Sequence, residues 1–298
     1  MWYNSTATFN QQFYGGNEMK NIKTVIVLLL AVAMCFGILS GCGTKASTES
    51  SAPSAEASAT AERISFTVGF DANFPPYGYT DDSGEYVGFD LDLAAEVCAR
   101  NGWELIKKPI DWDSKDMELD SGAIDCIWNG FTINGREDKY EWTEAYVDNS
   151  QVIVVAKDSG IKNLAGLAGK NVLVQADSSA LAALTDETNQ KNLDLAATFA
   201  SLNQVPDYLT AFMSLESGAA DAIAMDIGVA KYQIAQNGDK YIILSETIAA
   251  EQYGVGFKLG NTELRDQVQK TLNEMVADGK FTEIATKWEL QDAVCLGK

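Results

Sequence analysis

Thr132, Asn134 and Arg136 place a hydroxyl, an amide and a guanidinium just past an apolar run at residues 123–128. That run predicts a strand buried in a sheet. It is expected to break at Asn129-Gly130, where a small residue lets another group approach the backbone. Ligands of open α/β sheets bind beyond such strand ends. A guanidinium there suits a carboxylate, because its planar fork donates two parallel hydrogen bonds. The competing reading pairs Arg136 with Glu137, Asp138 or Glu141 on a solvated face. A second copy of the motif bears on the choice. Leu119-Asp120-Ser121-Gly122-Ala123-Ile124-Asp125-Cys126-Ile127 recurs as Leu215-Glu216-Ser217-Gly218-Ala219-Ala220-Asp221-Ala222-Ile223. In register, Asn129-Gly130 meets Met225-Asp226. One unit offers Arg136 and the other Asp226, so two facing lobes could hold a zwitterion by its carboxylate and its ammonium. The alternative is a repeated fold without a shared site.

The elements that would position these groups follow in order. Residues 64–68 alternate apolar and polar, as a strand does. Pro75 and Pro76 forbid continuation of sheet or helix, leaving Asp71, Phe74 and Tyr77 on a loop. Its aromatics either stack on a ligand or cap the core. Residues 81–84 form a turn that closes a hairpin. Asp90 is the expected N-cap of a helix with Leu91, Ala94, Ala95 and Cys98 on one face, ended by Gly102. A strand at residues 103–110 leads to Trp112, a candidate wall of the site. Later, the strand at residues 172–174 ends at Gln175, Asp177, Ser178 and Ser179 before an Ala-Leu helix. Hydroxyls at a helix start suit an anion, although Ser178 would cap the helix in either case. A strand around Thr198-Phe199 and a helix over residues 206–217 precede the second motif. Leu264, Val268, Leu272, Met275 and Val276 form the apolar stripe of a helix ended by Gly279.

The chain has 298 residues and a formal charge of −20. Without the stretch before Cys42 the charge is −21. That sign argues against nucleic acid as a partner. The chain has no His, which removes His triads, His metal sites and His pH switches. Residues 1–18 read as a non-native extension. Residues 19–41 read as a secretory signal, with Lys20 and Lys23 ahead of an apolar run too short for a comfortable membrane span. Met19 is the expected true start. Leu39-Ser40-Gly41-Cys42 looks like a bacterial lipobox, with Cys42 as the lipidation site and membrane anchor; the alternative is an ordinary cleaved signal. Residues 42–62, rich in Ser, Ala and Thr, are expected to be a disordered tether. Cys98 and Cys126 fall on apolar positions and are expected to be buried thiols. A disulfide among Cys98, Cys126 and Cys295 would leave one over. No residues have metal-ligand spacing, and no cofactor is expected.

Gly88-Phe89-Asp90-Leu91-Asp92-Leu93, followed by Ala94-Ala95-Glu96-Val97-Cys98, resembles the signature of the extracellular solute-binding proteins of polar amino acid importers, lipoprotein type (bacterial solute-binding protein family 3). So do residues 71–77, 129–136, Tyr253-Gly254-Val255-Gly256 and Asp278-Gly279-Lys280-Phe281 through Lys287-Trp288. The resemblance covers essentially residues 63–290. It implies an α/β, two-lobed periplasmic-binding-protein-like fold of type II, each lobe a mixed sheet flanked by helices. The crossovers and hinges are expected at residues 151–156 and 247–253. Lobe 1 would comprise residues 63–152 and the return with the C-terminal tail, 248–298; lobe 2 would comprise 153–247. The implied ligand-binding set is Asp71, Phe74, Trp112, Asn129, Gly130, Thr132, Arg136, Gln175, Ser178, Ser179 and Asp226. Arg136 and the Ser178 loop would hold the α-carboxylate, and Asp226 the α-ammonium. In many relatives the Arg stands five residues beyond the Thr; here it stands four beyond, which requires Gly135 to reshape the turn. The resemblance implies a monomer at the outer face of the cell membrane of a Gram-positive bacterium, delivering a polar, cationic or sulfur-containing amino acid, cystine included, to ABC permease and ATPase subunits. Gln175, where a Lys would favour acidic ligands, points away from those. The alternatives are a cyclohexadienyl or arogenate dehydratase-like enzyme, with Asp177, Asp226 or Glu251 as acid or base, and a ligand-sensing ectodomain.

Overall fold

The computed structural model describes residues 65–298. The extension, signal, lipobox Cys42 and tether lie outside the described residues. Strand β1 (Ser65–Phe70) buries Phe66, Val68 and Phe70. Residues 71–77 are more ordered than a plain loop. Strands β2 (Asn73–Phe74), β3 (Gly78–Thr80) and β4 (Tyr86–Val87) form a small antiparallel sheet, because the two prolines make a reversal rather than an end. Helix α1 (Phe89–Asn101) starts two residues earlier than expected, with Gly88 at its N-cap. Asp90 does not cap it. Its carboxylate turns inward and accepts the Gly130 N–H at 2.6 Å and the Tyr146 hydroxyl at 2.8 Å.

Strand β5 (Glu104–Pro109) runs parallel to β1, and a 3₁₀ turn at Trp112–Ser114 opens into α2 (Lys115–Asp120). Strand β6 (Cys126–Thr132) is buried throughout. It does not break at Asn129-Gly130. Gly130 adopts φ 58° within the strand, and a Cβ there would press on the rings of Phe74 and Tyr253. That crowding, not a strand end, requires glycine.

After β7 (Glu141–Trp142), strand β8 (Val147–Ala156) crosses into the second lobe. Ile153 and Val155 face one core, while Val152 and Val154 face another. Burial on both faces explains the continuous apolar run. The second lobe contains β9 (Asn171–Gln175), α3 (Ser179–Thr185), α4 (Gln190–Ala197), β10 (Ser201–Val205), α5 (Tyr208–Glu216), β11 (Ala222–Asp226) and α6 (Ile227–Asn237). The strand expected at Thr198-Phe199 begins at Ser201 instead. Thr198 still belongs to the helix end, its N–H and hydroxyl both on the Leu195 carbonyl. Strand β12 (Tyr241–Phe257) returns antiparallel to β8, with register shifts between Ile243 and Ala249. Helices α7 (Thr262–Ala277) and α8 (Lys280–Lys287) close the first lobe.

The strand order is β10-β9-β11-β8-β12-β6-β1-β5, so β8 and β12 are shared between the halves. The internal repeat is structural. In each copy the Ser-Gly pair ends a helix, Gly122 at φ 76° and Gly218 at φ 75°. Asp125 accepts the Thr67 N–H at 2.7 Å, and Asp221 accepts the Asn171 N–H at 2.8 Å. Each Asp ties its strand to the preceding parallel one, so β6 and β11 end at equivalent places.

Candidate functional site

The ends of β6, β9 and β11 meet in the cleft between the lobes. Phe74, Trp112, Gly130, Thr132, Arg136, Gln175, Ser178, Ser179 and Asp226 line one pocket. Its volume is about 10 Å³, roughly what one water needs. An amino acid can enter only if the lobes part.

Arg136 is half-buried on the first lobe. One guanidinium nitrogen donates to the Thr132 carbonyl at 3.3 Å and another to the Asp177 carbonyl at 3.2 Å. Its guanidinium lies 5.3 Å from the Phe131 ring centroid. Gly135, at φ 77°, makes the turn that the shortened Thr-to-Arg spacing demands. Among the described residues Arg136 forms no salt bridge, so it does not pair with Glu137, Asp138 or Glu141. Asn134 lies outside the pocket, where its side chain accepts the Gln252 N–H.

Across the cleft, Ser178 caps α3 by accepting the Leu181 N–H at 3.2 Å. Seven residues make α3 too short for much of a macrodipole, so the Ser178 and Ser179 hydroxyls are the useful polar groups there. Asp177 adopts φ 52° and turns its carboxylate away from the pocket onto Lys115. Lys115 is only 1% exposed and also sits over the Trp112 ring at 5.1 Å. Its burial lowers its pKa, and the Asp177 charge opposes that shift.

Asp71 and Asn129 do not line this pocket. The Asn129 side chain accepts the Asp71 N–H at 3.0 Å and so fixes the approach loop. Asp71 accepts from Gln175 at 2.7 Å, one lobe to the other. Burial pushes Asp71 up to about 6, despite the Asn73 N–H and Gln175 bonds that favour its charge. It borders an outer cleft of about 540 Å³ that also presents Asp111, Asp113, Glu118 and Asp207.

Asp226 ends β11 on the opposite wall. In the β11–β8 register it stands opposite Gln151, and in the β8–β12 register Asn149 stands opposite Glu251. Residues two apart on a strand share a face. Asp226, Gln151, Asn149, Glu251 and Tyr253 therefore gather on one side of three adjacent strands. Asn149 and Gln151 donate to Asp226 Oδ1 at 2.8 and 2.7 Å and to Glu251 Oε1 at 2.6 and 2.7 Å. The Tyr253 and Tyr208 hydroxyls reach Asp226 at 2.6 and 3.3 Å. Thr132 donates to Glu251 at 3.0 Å. Burial first, and the Glu251 charge second, push Asp226 up to about 7. The sequence reading does not single out Gln151, Asn149, Tyr208, Tyr253 or Lys115, and it treats Glu251 only as an acid or base. The signal for the strand residues is alternation: Asn149-x-Gln151 and Glu251-x-Tyr253 put polar groups on one face of otherwise apolar crossovers.

The pocket thus has a cation with hydroxyls on one side and buried carboxylates on the other, which can hold the two ends of a zwitterion. Among the described residues no cluster of three or more Cys, Asp or Glu is arranged to hold a metal ion. Cys98 and Cys126 are buried as thiols, and Cys295 forms no disulfide.

Relatives have the same framework. The Bacillus subtilis ABC transporter glutamine-binding protein GlnH is 28% identical over 281 residues, covering 91% of this chain and 99% of that one. The Escherichia coli L-cystine-binding protein TcyJ is 27% identical over 263 residues, covering 87% and 92%. A crystal structure of an ABC uptake transporter substrate-binding protein from Streptococcus pneumoniae with bound histidine superposes with a TM-score of 0.73. It is 33% identical and covers 77% of this chain and 94% of that one. An ancestral arginine-binding protein bound to arginine gives 0.69 at 35% identity, covering 76% and 99%. Residues 66–291 match the model of the bacterial extracellular solute-binding proteins, family 3, and the chain belongs to that family.

Proposed function

We propose that this chain captures a polar amino acid between its two lobes and delivers it to an ABC importer. One observation carries the reading: Arg136 and Asp226, from equivalent strand ends of a repeated unit, stand on opposite walls of a single pocket. The α-carboxylate would take the Arg136 fork with Thr132, Ser178 and Ser179. The α-ammonium would take Asp226. Phe74 and Trp112 would flank the ligand. Gly130 would leave its backbone accessible, and Asp71, Asn129 and Gln175 would set the side-chain end of the cleft. The lobes, residues 63–152 with 248–298 against 153–247, would close about β8 and β12.

The acidic outer cleft favours a cationic side chain, as in arginine, or the ammonium of a second zwitterionic end, as in cystine, over an acidic one. A thermal-shift screen of the purified chain against the common amino acids and cystine tests this. At about 100 times its Kd, a ligand stabilises by roughly 2.7 kcal/mol. Stabilisation by aspartate or glutamate in preference to arginine and cystine would refute the side-chain assignment. No shift with any amino acid would refute the capture reading.

Lipidation at Cys42 would hold the monomer at the outer face of a Gram-positive membrane, and metabolic labelling with a fatty-acid analogue that is lost in C42A would test the anchor. The relatives matched are transport-associated binding proteins, and we assign this chain no reaction. Recovery of an incubated ligand in altered form would overturn that assignment and favour the dehydratase alternative.

A further inference from the structure

We propose that Glu251 is a second carboxylate of the ammonium subsite, and that capture of an ammonium drives a proton off the Asp226–Glu251 pair. The proposal rests on the amino-acid reading above and deepens it. The geometry comes from the strand register. Asn149 and Gln151 each offer two amide hydrogens, and each side chain contacts both Asp226 Oδ1 and Glu251 Oε1. The other donors are the hydroxyls of Thr132, Ser179, Tyr208 and Tyr253. All of these donors are neutral. Two buried carboxylates on shared neutral donors cannot both ionise without large cost, so the pair retains one proton. Burial and the neighbouring charge place that proton on Asp226 up to near-neutral pH.

The same cluster holds two buried acceptors without a donor, Asn149 Oδ1 and Gln151 Oε1. Both amides already direct their hydrogens at carboxylates, so reversing either would set its oxygen against them. A group bringing several N–H donors and a positive charge would complete the cluster. The titratable groups packed around it are Tyr77, Tyr208 and Tyr253, whose pKa values burial raises, so they stay neutral. Arg136, the Lys115–Asp177 pair and Asp71 border the cleft elsewhere. The exchange balances simply: R–NH₃⁺ enters, the acid proton passes to solvent, and both carboxylates remain ionised around the cation. Glu251 meets the pocket through Thr132 and Ser179, so it is a positioning residue. Its charge makes the subsite favour an ammonium over a neutral substituent.

Calorimetry of the full chain at pH 6 tests the proposal, using L-arginine, L-glutamine and L-cystine in two buffers of different ionisation enthalpy. None of these ligands titrates near that pH. The wild type should release close to one proton per ligand. Its Kd should weaken by about 15-fold as pH falls from 7 to 5.5. E251Q removes the neighbouring charge but not the burial, so it should release less and show a shallower pH dependence of Kd over that range. Wild-type binding without proton release, or unchanged release in E251Q, overturns the proposal and leaves amino-acid capture standing. If E251Q does not fold, carbon-13 titration of the assigned wild-type carboxyls decides instead: beside the raised Asp71 and Asp90, the Asp226–Glu251 pair should show a transition near neutral pH without ligand and lose it with ligand bound, and persistence of that transition in the bound form overturns the proposal. Failure of every amino acid to bind overturns the underlying reading and the proposal together.

Discussion

Asp226→Asn should weaken ligand binding and yet make the ligand-free protein more resistant to raised pH. The Asp226 carboxyl titrates at about 7 in the fold against an ordinary 3.8. The folded state therefore keeps a proton that the unfolded chain releases, and stability falls as pH rises through that window. Between pH 5.5 and 7.5 this single group lowers wild-type stability by about 2 kcal/mol. For a folded part of this size that is about 4–8 °C in Tm. The amide of D226N would keep an oxygen for Asn149, Gln151 and Tyr253, and its new N–H₂ could donate to Tyr208 or Glu251. Asp71 and Asp90, both also raised, contribute equally to wild type and variant and cancel. Scanning calorimetry at pH 5.5, 6.5 and 7.5 without ligand reads the effect. The Tm difference between D226N and wild type should shift in favour of the variant by that amount across the series. Parallel pH profiles would refute the buried, proton-holding carboxyl. Ligand affinity of D226N should fall about 100-fold or more, since a buried ammonium would lose its ionic partner.

Arg136→Ala should reduce affinity by about 2–3 kcal/mol, and Arg136→Lys should recover little of it, because a point charge cannot reproduce the fork; a lysine variant binding like wild type would remove bidentate recognition. Asp177→Ala leaves Lys115 buried across the cleft with only the Trp112 carbonyl and ring. The radius of gyration by small-angle scattering should increase, and the closed form should lose stability because Lys115, 1% exposed, is left without its ionic partner; an unchanged radius would show that the pair does not latch the lobes. Gly228→Ala should fold normally, since alanine suits a helix, but its Cβ would overlap the Tyr77 hydroxyl. Ligand-dependent compaction should be lost, and full compaction with wild-type Kd would refute that contact as a condition of closure.

Most of the pocket is legible in the sequence because its residues sit at or just past strand ends, two of them marked by a repeat. Thr132, Arg136, Gln175, Ser178, Ser179 and Asp226 carry their chemistry in local sequence, and turn and strand signals place them. Lys115 is not singled out by its local sequence; it is buried with Asp177 of the other lobe over it, which no local pattern encodes. Asp90 reads as a cap, and its real partners Gly130 and Tyr146 lie 40 and 56 residues away. Asn149, Gln151 and Glu251 depend on a register between strands about 100 residues apart. Their alternation is visible, but not which carboxylates they meet. The continuation of β6 through Gly130 escapes local reading for a related reason: the need for glycine comes from the rings of Phe74 and Tyr253.

The contacts across the cleft set how readily the lobes part. Gln175 to Asp71, Asn73 to Asp207, Thr132 to Ser179, Arg136 to the Asp177 carbonyl and Lys115 to Asp177 are all polar. Each exchanges protein for water partners on opening, so each contributes only about 1 kcal/mol net. Aromatic contacts add to them: Phe74 against Tyr208 and Tyr79 against Tyr232, with ring centroids 5.9 and 5.5 Å apart, and Tyr77 against Gly228. Closing also dries the Asp226–Glu251 pair, which disfavours the closed form for as long as no cation sits there. Opposed terms of this kind leave the open and closed arrangements close in free energy. A ligand shifts such an equilibrium only by its differential affinity. On the proposed reading that difference has a definite source: a cation would neutralise the dried carboxylates and an anion would engage Arg136, and both ends would be met together only with the lobes shut.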